Sequence, residues 1–151
     1  MKTIPRFLGA FLIATFSACG KKVDSSEGHS GHVHTAPHGG TLVELGEHAY
    51  SLELVRDRAA GKLTAYVFDG HAEKFVRIKS PTLELIAMPD GIYTRVSLKA
   101  VANPTTGESV GDTSQFEAQA DWLKTANDFA GIFTIEIRGT KFEQVAYSLP
   151  K

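Results

Sequence analysis

The chain has 151 residues, with 16 Lys+Arg against 17 Asp+Glu and a single cysteine. No basic block and no interleaving of basic and aromatic residues is present, so the electrostatic footprint of a nucleic-acid binder is missing. One cysteine excludes an intrachain disulfide, and the length suits one domain that buries a core without cross-links.

From the N-terminus, Lys2 and Arg6 form a short basic region, FLGAFLIATF (7–16) an apolar run, and FSAC (16–19) a stretch ending in small residues and cysteine. This is the pattern of an export signal peptide. The apolar run is about half the roughly 20 residues a spanning helix needs, so it does not anchor the chain by itself. Cys19, directly after Ser17-Ala18, resembles the lipobox of bacterial lipoproteins, with Phe16 in place of the usual Leu. The resemblance implies a lipoprotein signal peptide over 1–18 and a lipid on Cys19 that holds the mature chain to a membrane. A cleaved secretory peptide that happens to contain a cysteine is the alternative. Lipidation leaves no thiolate for metal binding or catalysis. Gly20, rather than Asp, after the cysteine favours the outer membrane, with the protein on the periplasmic side of a bacterial cell envelope. Loss of Lys2 and Arg6 leaves 14 basic against 17 acidic side chains and a formal charge of −3.

Residues 19–36 hold only two large apolar side chains, Val23 and Val33, among Gly, Ser, Lys and His. Such a segment cannot bury enough apolar surface to offset the entropy of ordering it, so a flexible tether is expected. His29, His32 and His34 follow the spacing H-x2-H-x-H, which lets imidazoles on a mobile chain converge on one divalent ion. The ordering entropy makes such a site weak and unselective. A polar tether whose histidines bind nothing is the competing reading.

From Pro37 to the C-terminus the pattern becomes one of strands. Apolar residues alternate or run together in TLVEL (41–45), HAYSLELVR (48–56), KLTAYVFD (62–69), KFVRIK (74–79) and TLELIAM (82–88). They do so again in IYTRVSLKAV (92–101), SQFEAQA (114–120), GIFTIEIRG (131–139) and FEQVAYSL (142–149). Turn residues separate them, including Gly46-Glu47, Asp69-Gly70 and Gly139-Thr140. DWLKTANDF (121–129) reads as the one helical turn, with Asp121 as N-cap. Nine short strands without a strand–helix–strand repeat predict an all-β domain over 37–151, an Ig-like antiparallel β-sandwich or, alternatively, a small β-barrel. Alternation puts Phe133, Ile135 and Ile137 on one face with Thr134 and Glu136 opposite. It gives Tyr50, Leu52 and Leu54 a common face, with His48 at its end.

GESVG (107–111) satisfies G-x-S-x-G, and HGG (38–40) looks like part of the oxyanion loop of lipases. The hydrolase elbow needs a strand-to-helix turn and a histidine later in the chain. GESVG instead precedes a strand-like run, and the last histidine is His71. No phosphate-cradling or dinucleotide motif is present, so no enzyme is expected.

The remaining histidines, His38, His48 and His71, each fall at a strand edge or turn. Proline and two glycines hold His38 at the entry to the first strand, and a hairpin would bring His48 to one end of that sheet. His71 follows the Asp69-Gly70 turn, and local pattern leaves its distance open. Each could equally be a hydrogen-bonding surface residue. PHGGTLVELGEHAYSLELV together with LTAYVFDGHAEKFVRI resembles the histidine-bearing domains associated with periplasmic adaptor subunits of heavy-metal efflux pumps. The resemblance covers residues 37–78, and the chain lacks the adaptor's helical hairpin and lipoyl-like domain. It implies metal handling in the envelope through His38, His48 and His71, with an efflux-pump component as partner. Copper(I) sites draw on Met or Cys, scarce here, so nitrogen-rich binding of Zn or Cu(II) fits better. Asp69, Glu47 and Glu73 could add a fourth ligand or accept the other ring N–H.

Two functions stay open. One is a lipid-anchored buffer or chaperone for a divalent transition metal. The other is a lipid-anchored Ig-like interaction module with structural histidines and no metal.

Overall fold

A computed structural model describes residues 34–150. The segment expected to be a signal peptide, Cys19, His29 and His32 lie outside the described residues. Eight strands form one antiparallel sheet: β1 (Thr41–Leu45), β2 (Tyr50–Asp57), β3 (Lys62–Asp69), β4 (Thr82–Ala87), β5 (Thr94–Ala100), β6 (Gln115–Gln119), β7 (Phe129–Ile137) and β8 (Thr140–Leu149). Their order is β1-β2-β3-β6-β5-β4-β7-β8. The edge strands approach each other: Gly46, just past β1, lies where a Cβ would come 2.6 Å from the Phe142 ring of β8. The Tyr50 and Phe142 rings meet edge to face, with centroids 6.0 Å apart. The sheet is therefore nearly closed. The all-β antiparallel architecture expected from the sequence is observed, and of its two forms the small barrel fits, because the strands make one curled sheet rather than two facing ones. Eight strands leave an interior that side chains can fill.

Period-two patterning fills that interior. Phe133, Ile135 and Ile137 of β7 are buried while Thr134 and Glu136 face out, and Leu52 and Leu54 of β2 meet Leu63, Ala65 and Val67 of β3 in the core. KFVRIK keeps the alternation, with Val76 and Ile78 buried, but forms no strand of its own. Val76 N–H donates to Val67 O and Ile78 N–H to Thr113 O. Its backbone is divided between two partners, leaving single bridges where the sequence pattern predicts a ladder.

Helix α1 (Trp122–Thr125) links β6 to β7, and Leu123 is fully buried. Asp121 precedes it as expected, yet its carboxylate makes no cap; it pairs with Lys124 Nζ at 2.8 Å. Arg56 of β2 does the capping from the other end, donating to the carbonyls of Leu123, Ala126 and Asn127 at 2.6–2.9 Å.

Tyr147 of β8 is 5 % exposed, and its hydroxyl makes no hydrogen bond within the described residues. Burial pushes its pKa up. An unsatisfied buried hydroxyl carries a desolvation cost that phenylalanine avoids, so Tyr147→Phe should stabilise the protein by about 1 kcal/mol, read as a raised urea midpoint at unchanged m-value.

The registers also fix which loops share an end. Leu45 pairs with Tyr50, and Tyr50 with Asp69. The β1–β2 loop and the residues after β3 therefore lie side by side at one end of the barrel.

Candidate metal centre

The PHGG segment is organised by a buried acid. Glu53, mid-way along β2, is completely buried. Its Oε1 accepts the N–H groups of His38 (2.8 Å) and Gly40 (2.9 Å), and its Oε2 lies 2.8 Å from His38 Nδ1. The His38 ring stacks on Tyr66 of β3, with centroids 3.9 Å apart and planes at 13°. Gly40 is needed for space: a Cβ there would sit 2.5 Å from Leu54 O. Three donors satisfy a carboxylate that would otherwise be too costly to bury. This turn reverses the chain. His38 is held against the middle of β2 and β3, so residues 34–36 run back toward the end where β1 finishes.

At that end the β1–β2 connection has four residues, Gly46 to Ala49, rather than two. Gly46, Glu47 and His48 all have positive φ (58°, 49° and 68°), and Ala49 N–H closes the turn onto Leu45 O and Gly46 O. His48 therefore lies in the loop and not at the start of β2, because three successive left-handed residues cannot continue a strand. Gly70 sits directly on this loop: a Cβ on it would overlap the His48 carbonyl oxygen far inside van der Waals contact. Its missing side chain lets the turn that carries His71 dock against the turn that carries His48. Asp69 shapes the second turn, its Oδ1 accepting from Glu73 N–H (2.9 Å) and Lys74 N–H (3.2 Å). Burial alone would raise the pKa of this carboxyl, but those two bonds and the charges of Lys74 and His71 outweigh it and hold it below the usual range. Asp69 thus serves the backbone.

The result is a cluster on the rim. Ligand-capable atoms of His34, Glu44 and His48 all lie within 4.8 Å of one another. Glu44 Oε2 is 3.3 Å from His48 Nδ1, and both side chains are about half exposed. His71 adjoins them: its ring centroid is 5.3 Å from that of His34, which is 6.2 Å from that of His48. Bonds near 2 Å put the ligand atoms of a tetrahedral ion about 3.3 Å apart, so shifts on the order of 1 Å would bring the three onto one ion. Two imidazoles and a carboxylate, with the His71 ring beside that of His34, suit a borderline divalent cation.

Of the histidines singled out from sequence, His48 and His71 come together, around His34 and not around His38. His38 is taken up by Glu53 and Tyr66. Glu44 escaped notice, although it stands four residues before His48, a spacing that a tight hairpin turn folds into contact.

GESVG is a loop whose acid is structural. Glu108 accepts from Ser114 N–H (2.9 Å), Ser114 Oγ (2.6 Å) and Thr106 Oγ1 (2.7 Å). Burial would raise its pKa, but these bonds and the Arg77 charge hold it below the usual range. Ser109 is exposed, and its backbone pairs with Asp112. No strand-to-helix elbow surrounds it.

No family model matches the chain, and neither a curated protein nor a solved structure is significantly similar to it.

Proposed function

We propose that this protein is a lipid-anchored envelope protein that binds one divalent transition ion, Zn(II) or Cu(II), through His34, His48 and His71 with Glu44. It would act as a buffer or chaperone for metal homeostasis. The observation that carries this reading is the convergence of His34 on Glu44 and His48, two chain segments brought together at the rim. Half-exposed ligands suit exchange with a carrier more than permanent storage. The export pattern at 1–18 and the lipobox-like Cys19 support attachment in a bacterial envelope, at the outer membrane, and the likeness of 37–78 to efflux-associated domains supports a metal-efflux partner.

One observation favours the interaction-module reading. Phe75 is 54 % exposed and stacks on Phe68 beside His38 and Tyr66, an aromatic surface with no metal ligand role.

Calorimetric titration of the purified full chain with Zn(II) and Cu(II) tests the proposal. His34→Ala and His48→Ala should each weaken binding by at least about tenfold, a loss of about 1.4 kcal/mol. His38→Ala should change it by less than about threefold if the protein stays folded. Saturation at a hundred times Kd should add about 2.7 kcal/mol of stability, reversed by a chelator. No saturable binding would overturn the reading. So would binding that depends on His29 and His32 but not on His48, since the ion would then belong to the N-terminal segment alone.

A further inference from the structure

A second feature at the same end of the barrel is independent of any metal. Between the 77–80 segment, the start of β4 and the end of β7 lies a groove of about 570 Å³, a size that takes a small molecule. Three cations line it, Arg77, Lys79 and Arg138, against one acid, Glu136, in a chain whose net charge is −1. Arg77 is committed to Asp112 and the Thr106 carbonyl. Lys79 and Arg138 make no ion pair among the described residues. Glu136 stands opposite Lys141 in the β7–β8 ladder, so its charge already has a neighbour.

Arg138 is also unusual in its backbone. With Gly139 it forms the two-residue β7–β8 turn, and both have positive φ, 51° and 83°. Such a turn favours Asn-Gly, because an ordinary side chain is disfavoured at the first position. Nothing in the turn itself calls for arginine. Its guanidinium instead brings a planar, bidentate donor to the groove, the geometry that matches a carboxylate or a phosphate. Thr82 and Thr134 add hydroxyls to the same lining.

We infer that this groove binds a small polyanion bearing carboxylate or phosphate groups, held by Arg138 and Lys79. The test is calorimetric titration of the chelator-treated full chain with citrate and, separately, pyrophosphate at low ionic strength. At least one should bind at one site per chain with Kd below about 1 mM, and which of the two does so separates a carboxylate from a phosphate ligand. Arg138→Gly should weaken it at least about tenfold while the thermal midpoint holds or rises, because glycine suits the turn. Lys79→Ala should weaken it as well. Absence of heat with both anions up to about 10 mM would overturn the inference. So would equal weakening by Lys62→Ala, which lies outside the groove in an ion pair with Glu117; the attraction would then be diffuse charge and not a site.

Discussion

Gly70→Ala should cost the protein about 4 kcal/mol or more, and with it the proposed metal site. The methyl group would occupy the space of the His48 carbonyl oxygen, with Ala49 behind it. Neither neighbour can yield by a side-chain rotation, since both are backbone in the hydrogen-bonded β1–β2 turn. One of the two turns must move, and overpacking against backbone sits at the severe end of point substitutions. Against a total stability of about 5–15 kcal/mol for a domain of this kind, that is a large share. Gly39→Ala is the control: a Cβ there meets nothing within 4 Å, and only its φ of 73° is unfavourable, so about 1–2 kcal/mol is expected. Denaturant midpoints for the two variants would show the difference. A Gly70→Ala protein as stable as the Gly39→Ala one would mean that the two turns are not packed as described. At temperatures where Gly70→Ala remains folded, Zn(II) affinity should still fall, because His48 and His71 can no longer adjoin the same point.

Glu53→Ala should destabilise by about 3 kcal/mol, because it strips the acceptor from two backbone N–H groups and from the His38 ring at once. Replacing a buried partner leaves the remaining donors unpaid in hydrogen bonds, which costs more than the bonds are worth net. Glu53→Gln should cost less, as its amide oxygen can keep the His38 and Gly40 N–H groups, although its NH₂ would replace the oxygen facing His38 Nδ1. Glu53 is no ligand, yet its loss should weaken metal binding by releasing the turn that returns His34 to the rim. A double-mutant cycle with His38→Ala, read in urea, should give a coupling of about 1–2 kcal/mol. Independent effects would show that Glu53 does not act through the turn.

Much of the scaffold was legible in local pattern. β1 and β3 begin and end where alternation and turn residues place them, and β7 buries the residues that period two assigns to its inner face. The errors have local causes too. His48 shares the parity of Tyr50 and Leu52, so pattern alone extends β2 through it; only the left-handed φ of Glu47 and His48 breaks the strand. KFVRIK has a strand's alternation, but a ladder needs a partner over its whole length, and alternation carries no information about partners.

Glu53 and His34 mark the boundary most clearly. By alternation Glu53 faces away from Leu52 and Leu54, the side an antiparallel sheet commonly leaves to water; it is buried because the PHGG turn folds over that face. His34 sits in a run too polar to pack, yet its ring is delivered to His48 and His71 by a reversal several residues downstream. Composition, periodicity and turn chemistry act over a few residues, and by themselves they determined an all-β antiparallel domain, most strand positions and a set of candidate histidines. Closure into a barrel, the burial of Glu53 and the choice of His34 over His38 beside His48 depend on contacts between residues 13 or more apart along the chain, and 37 for His34 and His71. Such pairings are set by which surfaces cover one another in the folded molecule, and only the tertiary structure decides them.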